Sequence, residues 1–182
     1  MPPFITTPSS RTWRLGTQSH LDVITDKLNE IKDEFMKTDA THLALVDADV
    51  EWPPDALCTL LRMNVDVAGG IYSRHGDGDI MIAGIILNPQ RYNYAPSHID
   101  EIRGKILGEN EFVAAGNGCM LIKRRVFKQY SPHYLSLSFV SDGGKPSDTY
   151  FWWAAQRAGF KCRVNGNIIC GHLPEHPLAE IT

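Results

Sequence analysis

The chain has 182 residues and carries 18 basic against 21 acidic side chains, a formal charge of −3, with a pI near 6.1. There is no basic excess to draw nucleic acid or an anionic lipid surface, and 43% hydrophobic with 21% charged residues excludes a largely disordered chain, a collagen or a coiled coil. The longest apolar run, Ile80 to Leu87, is far short of the roughly 20 residues that span a bilayer, and the opening Met-Pro-Pro-Phe-Ile lacks the basic and apolar regions of a signal peptide.

A cytoplasmic protein without an integral membrane segment is therefore expected. At typical domain sizes the length predicts one domain over 1–182, with a core that needs no staples. The four cysteines, Cys58, Cys119, Cys162 and Cys170, form no C-x-x-C. They read as buried free thiols in a reducing compartment.

Phe4 to Thr7 reads as a first strand, closed by Pro8-Ser9-Ser10. From Ser19 to Lys37, Leu21, Ile24, Leu28, Ile31 and Phe35 recur every three or four residues, which predicts an amphipathic helix. The apolar run His42 to Val46 reads as a fully buried parallel strand ending in Asp47-Ala48-Asp49. Pro53-Pro54 opens a helix to about Arg62. Val65 to Tyr72 and Ile80 to Leu87 read as strands. The polar stretch Asn88 to Gly108, with Pro89 and Pro96, reads as a surface loop or hairpin.

Phe112 to Ala115 and Cys119 to Ile122 flank Gly116-Asn117-Gly118, which on its own is a hairpin. Arg124 to Tyr130 is a short helix and Tyr134 to Val140 a strand. Asp148 to Ala158 is a helix stopped by Gly159. Phe160 to Val164 and Asn167 to Cys170 close the fold, and 173–182, with Pro174 and Pro177, forms a flexible tail. Strand and helix alternate early and hairpin-like strands come late, the pattern of an α/β domain with a mixed sheet.

Chemistry concentrates in four places. Asp47 and Asp49 stand at i and i+2, on the same side of an extended chain, beyond a strand end where ligands bind in open α/β sheets. Two such carboxylates repel unless a cation or proton lies between them, and hard oxygens suit Mg²⁺ or Mn²⁺. His172 ends an apolar strand and would complete an N/O ligand set. Asp148 falls in the first turn of a helix, where backbone N–H groups favour its ionised form and make it a candidate general base. Trp152 and Trp153 follow it, as core residues or as the lining of a sugar site. The glycine turn is no P-loop, and no G-x-G-x-x-G precedes a helix.

In this order the segments resemble the family 2-like glycosyltransferases of the GT-A fold. The resemblance rests on Thr41-His-Leu-Ala-Leu-Val-Asp-Ala-Asp-Val50, Trp52-Pro-Pro-Asp-Ala-Leu57, Gly116-Asn-Gly-Cys-Met-Leu-Ile-Lys-Arg124, Ser147-Asp148 through Ala158-Gly-Phe160, and Ile168-Ile-Cys-Gly-His172. It covers residues 38–172 and implies a single-domain, Rossmann-like mixed sheet flanked by helices. It further implies transfer of a sugar from a nucleotide-diphosphate sugar to an acceptor hydroxyl. Asp47, Asp49 and His172 would hold Mn²⁺ or Mg²⁺, Asp47 would also meet the donor, and Asp148 would be the base of an inverting reaction.

Two features depart from the family. Ser147 stands where the family has a glutamate, and barely ten residues separate the first strand from the long helix. A nucleoside pocket would then draw on Thr7, Pro8, Ser9 and Arg11. Two rival readings exist: a non-catalytic GT-A-like module that binds a nucleotide sugar, and a haloacid-dehalogenase-like phosphatase with Asp47 as nucleophile in Asp47-Ala-Asp-Val50. Lys145 would supply that enzyme's lysine, but no later Gly-Asp pair follows it.

Overall fold

A computed structural model describes residues 20–74, 77–90, 92–128 and 147–173. The expected strands Phe4–Thr7 and Tyr134–Val140, the residues Thr7, Pro8, Ser9, Arg11 and Lys145, and the tail from 174 on lie outside the described residues.

The elements run α1 (His20–Lys37), β1 (His42–Leu45), β2 (Val50–Glu51), α2 (Ala56–Met63), β3 (Val67–Ile71), β4 (Ser73–Arg74), β5 (Asp77–Ile86), β6 (Tyr94–His98), α3 (Ile99–Ile102), β7 (Ile106–Leu107) and β8 (Val113–Ala115). A 3-10 turn (Asn117–Cys119), β9 (Met120–Lys123), α4 (Arg124–Lys128), α5 (Ser147–Arg157), β10 (Cys162–Ile169) and β11 (Gly171–His172) follow. The main sheet has the order β1-β9-β3-β10-β7. Among the described strands of this sheet only β3 and β10 pair in parallel and the other ladders are antiparallel, so the sheet is mixed.

Period-2 alternation splits the core between the two sheet faces. Leu43, Leu45, Val67, Ile71, Met120, Ile122 and Val164 pack with Phe35 of α1 and Phe151 and Trp152 of α5. Ala44, Ala68 and Leu121, one residue out of phase, pack with Ala56 and Leu60 of α2. The result is an α/β fold with helices on both faces of a mixed sheet.

Several elements differ from expectation. β1 is half-buried by alternation rather than fully buried, and its ladder among the described residues is antiparallel, Leu43 opposite Ile122 and Leu45 opposite Met120. It still runs in the direction of β3, because β9 is antiparallel to both. Helix α2 begins after Pro54, since a residue before proline is pushed out of the α region. Positions 88–108 are not one loop: they hold β6, α3 and β7. Strands β8 and β9 do not form a hairpin, because β8 pairs β5 in a second sheet and β9 pairs β1 and β3. Gly159, at φ +87°, stops α5 as expected. Cys119, Cys162 and Cys170 are buried free thiols, whereas Cys58 is exposed.

The basic run Lys123-Arg124-Arg125 serves the framework. Arg124 donates from Nη2 to Phe35 O at 2.9 Å and from Nε to Ala40 O at 2.5 Å, tying up carbonyls at the end of α1. Arg125 grips the buried Asp66 carboxylate through Nε and Nη2 at 2.5 and 2.6 Å, and Lys161 N–H adds a third bond at 2.9 Å. Burial pushes Asp66 up, but the Arg125 and Lys161 bonds outweigh it and hold the carboxyl below its ordinary value.

A depressed carboxylate stabilises the fold above its unfolded pKa, and that stability is lost as pH falls through the folded value. Arg125→Met should cost about 1–2 kcal/mol at pH 7, at the low end because the guanidinium is largely exposed. The gap to wild type should narrow as pH falls below about 4 and on through the depressed folded value of Asp66, where the carboxyl takes up a proton in wild type as well. Urea titrations at pH 7 and pH 3 check this; an equal gap at both would refute it.

Candidate active site at the sheet end

The directions of β1, β3 and β10 bring their carboxyl ends together, where α/β sheets bind ligands. Beyond β1 the chain turns, with Val50 N–H donating to Asp47 O at 3.1 Å, and enters β2. Strand β2 pairs with β11, His172 opposite Val50, and Leu173 N–H donates to Asp49 O at 2.7 Å. Gly171 to Leu173 is thus held against the aspartate turn, not part of a loose tail.

His172 donates from Nδ1 to Ser73 O at 2.7 Å, which fixes the tautomer. Its Nε2 then faces Asp49 Oδ2 at 3.5 Å, with the imidazole side chain 9% and the carboxylate side chain 50% exposed. The Tyr72 ring meets His172 edge-on at 5.6 Å.

The glycine turn is locked into this site from both sides. Gly118 N–H donates to Tyr72 Oη at 2.9 Å, and Trp52 Nε1 donates to Gly118 O at 2.6 Å. A Cβ on Gly116 would lie 2.0 Å from the Tyr72 hydroxyl; one on Gly118 would lie 2.9 Å from Tyr72 Cζ and 3.0 Å from Asp47 Oδ2. The glycines are therefore needed for the close approach of a tyrosine and a carboxylate, not for an unusual φ.

Asp148, at the start of α5, reaches the same turn, because Asn117 N–H donates to its carboxylate. Thr149 N–H adds a bond at 2.7 Å. The helix-start amides were expected to leave Asp148 readily ionised. Burial wins instead and pushes it up to about 6, against the pull of those amides. Asp47 is also pushed up to about 6, first by burial, then by the charges of Asp49 and Asp148, with His172 opposing. Burial, then the Asp47 and Asp148 charges, raise the Tyr72 phenol as well. Two raised carboxylates and a third beside them at one sheet end make a site poised for a cation or a proton.

Asp47, Asp49, His172, Asp148 and the glycine turn are thus gathered, though far apart in sequence. Among the described residues no three His, Cys, Asp or Glu side chains are grouped closely enough to hold a metal ion by themselves. At this sheet end Asp49 and His172 approach within 3.5 Å of each other. Trp152 is core, while Trp153 is half-buried and donates from Nε1 to Pro89 O at 3.0 Å.

Sequence reasoning missed Trp52, Tyr72 and Ser73, which position the site. It also missed Tyr92 and Tyr94 of the polar stretch. Tyr92 Oη is hydrogen-bonded to Thr149 Oγ1, next to Asp148. The alternation of Tyr92 and Tyr94 was the available signal. Asn117 Oδ1 and Tyr94 Oη are buried without a hydrogen-bond partner among the described residues, a state that costs about 1–3 kcal/mol per group. A cavity of about 390 Å³ lies elsewhere, at the amino end of β10, lined by Gly108, Phe112, Phe160, Lys161 and Arg163 among others.

No family model and no curated protein matches the sequence. Among solved structures the chain is similar to A197 from STIV, at 17% identity and a TM-score of 0.52, over 84% of this chain and 68% of that one. That likeness is one of fold. No described helix is long and apolar enough to cross a membrane.

Proposed function

We propose that the chain is a cation-dependent glycosyltransferase of GT-A-like architecture, moving a sugar from a nucleoside diphosphate sugar to an acceptor hydroxyl. One observation carries the reading. The D-x-D aspartates, a histidine whose Nε2 faces the second of them, and a separate carboxylate bonded to the glycine turn meet at one sheet end. The free thiols suit a reducing, cytoplasmic setting.

The donor set fits Mn²⁺ or Mg²⁺. Asp49 and His172 offer oxygen and nitrogen, Asp47 adds negative charge, and so few protein ligands leave room for a diphosphate and water. The bond from His172 Nδ1 to a carbonyl is the orienting contact that ligating histidines use. Bound there, the cation would neutralise charge on the leaving diphosphate. Asp148 stands apart from this pair, in a position to accept the acceptor's proton. A single in-line displacement would invert the anomeric centre.

The test is a thermal-shift series with nucleoside diphosphates and their sugars, with and without Mn²⁺. A ligand at 100 times its Kd adds about 2.7 kcal/mol. Wild type should shift only when both are present, and Asp49→Ala should lose the shift. An unchanged shift in that variant would remove the cation assignment.

A further inference from the structure

The cavity at the amino end of β10 lies at the opposite end of that strand from His172. Its volume of about 390 Å³ falls in the range of small-molecule sites, roughly 300–1,000 Å³. Its walls are fixed to one another. Arg163 Nη1 donates to Gly108 O and, at 3.0 Å, to Cys162 O, which clips the loop after β7 to the start of β10. Gly108, at φ +101°, permits that approach, since a Cβ there would lie 2.5 Å from Cys162 O. Gln156 of α5 binds the Val113 carbonyl and N–H at 2.7 and 2.9 Å and holds the third side.

Four charges line this space, two of each sign, and no two of them are paired with each other among the described residues. Lys161 and Arg163 stand at i and i+2, on the same side of an extended chain. Glu109 and Glu111 belong to the loop between β7 and β8. The Lys161 ammonium and the Glu109 carboxylate, both on exposed residues, have no hydrogen bond or ion pair among the described residues. Glu111 accepts from Gly108 N–H at 2.8 Å and from Asn110 N–H at 3.2 Å. A carboxylate has about four acceptor sites and a guanidinium five donors, so Glu111 and Arg163 both keep capacity beyond these bonds. Phe160, 7% exposed, and the half-buried Phe112 add an apolar lining.

A plain anion drawn to Lys161 and Arg163 would bring its charge against Glu109 and Glu111, and a plain cation would meet the converse repulsion. A molecule that carries both a carboxylate and an ammonium answers both pairs, and an apolar body answers the two phenylalanines. We propose that this cavity is a binding site for a zwitterionic small molecule with an apolar side chain, the class of a free α-amino acid. Its carboxylate lies on Lys161 and Arg163, and its ammonium on Glu109 and Glu111. The site shares no residue with the Asp49–His172 end of the sheet and does not rest on the transferase reading.

The test is ligand-observed NMR titration of the full chain with L-phenylalanine and L-leucine. Each is compared with its N-acetyl form, which lacks the cation, with its amide, which lacks the anion, and with glycine, which lacks the apolar body. At least one of the two amino acids should bind, and its three comparison compounds should bind at least about threefold more weakly. Lys161→Gln and Glu109→Gln should each weaken that amino acid by about three- to tenfold, the worth of an ion pair at a half-open site. Both positions are exposed, so Tm should stay at the wild-type value in both variants, which guards against reading misfolding as lost binding.

No binding of either amino acid, binding of any comparison compound as tight as that of its parent, or wild-type affinity in either variant would overturn the site.

Discussion

Asp148→Asn should slow sugar transfer by about 10²- to 10⁴-fold while leaving donor affinity within a few-fold. The asparagine keeps the size of the side chain and still has an oxygen to accept from Asn117 and Thr149 N–H, so the start of α5 should hold. It cannot take a proton. The interaction removed is made mainly in the transition state, so the loss falls on turnover. As the proposed base, Asp148 must be ionised to act, and burial pushes it up to about 6. Transfer should therefore rise with pH up to about 6 and level off above.

Asp47, also near 6, feels the Asp148 charge, so without a cation the limb belongs to the coupled pair. The check is donor titration and transfer rate for Asp148→Asn and Asp49→Asn across pH 4.5 to 8. Wild-type rates in Asp148→Asn would reduce Asp148 to a helix-start residue. Loss of donor binding as severe as in Asp49→Asn would assign it to the donor site.

What the sequence reveals, it reveals through local physics. The helix His20–Lys37 is legible because Leu28, Ile31 and Phe35 repeat at the helical period, and Phe35 is indeed in the core. Helix α5 is legible from its apolar body and Gly159. The strand before Asp47 is legible as a strand, but its antiparallel partner Met120–Lys123 is not, because pairing is decided far along the chain. Strand β6 hides behind Pro96, which disfavours a central strand. Among the described strands β6 pairs only β5, and an edge tolerates proline.

The site divides the same way. Charged and glycine motifs announce Asp47, Asp49, His172, Asp148 and the turn, because few residue types do that chemistry. Tyr72 and Trp52 give no local signal, since each matters only by reaching a backbone group of the turn. The elevation of Asp148 is invisible for a similar reason. Its helix-start position speaks for an ionised carboxylate, and only the packing around it speaks against.

Trp152→Ala should be the most destabilising single change considered, about 3–5 kcal/mol. Trp152 is fully buried in the core between α5 and the sheet, and its ring lies so close to Gly69 that a Cβ there would sit 2.9 Å from Cζ2. Truncation leaves a cavity that rigid neighbours fill only in part. For a domain of this size the loss lowers Tm by roughly 10–15 °C, a large share of a typical stability of about 5–15 kcal/mol.

Trp152→Phe separates packing from polarity. Trp152 Nε1 is buried without a hydrogen-bond partner among the described residues, so phenylalanine keeps most of the aromatic body and removes an unpaid donor. It should cost less than half as much as alanine. Gly69→Ala supplies the reciprocal check. In wild type its methyl meets the Trp152 ring; in Trp152→Ala the nearest atom left to it is the Cys119 carbonyl oxygen, at 3.1 Å. The double variant should therefore lose less than the sum of the two single ones.

Urea unfolding of all four variants measures this, and strict additivity would mean that the ring does not bear on Gly69. Because Asp148 lies one turn before Trp152 on α5, the same anchor holds the carboxylate at the glycine turn. Trp152→Phe should accordingly preserve the position of Asp148 along with the fold.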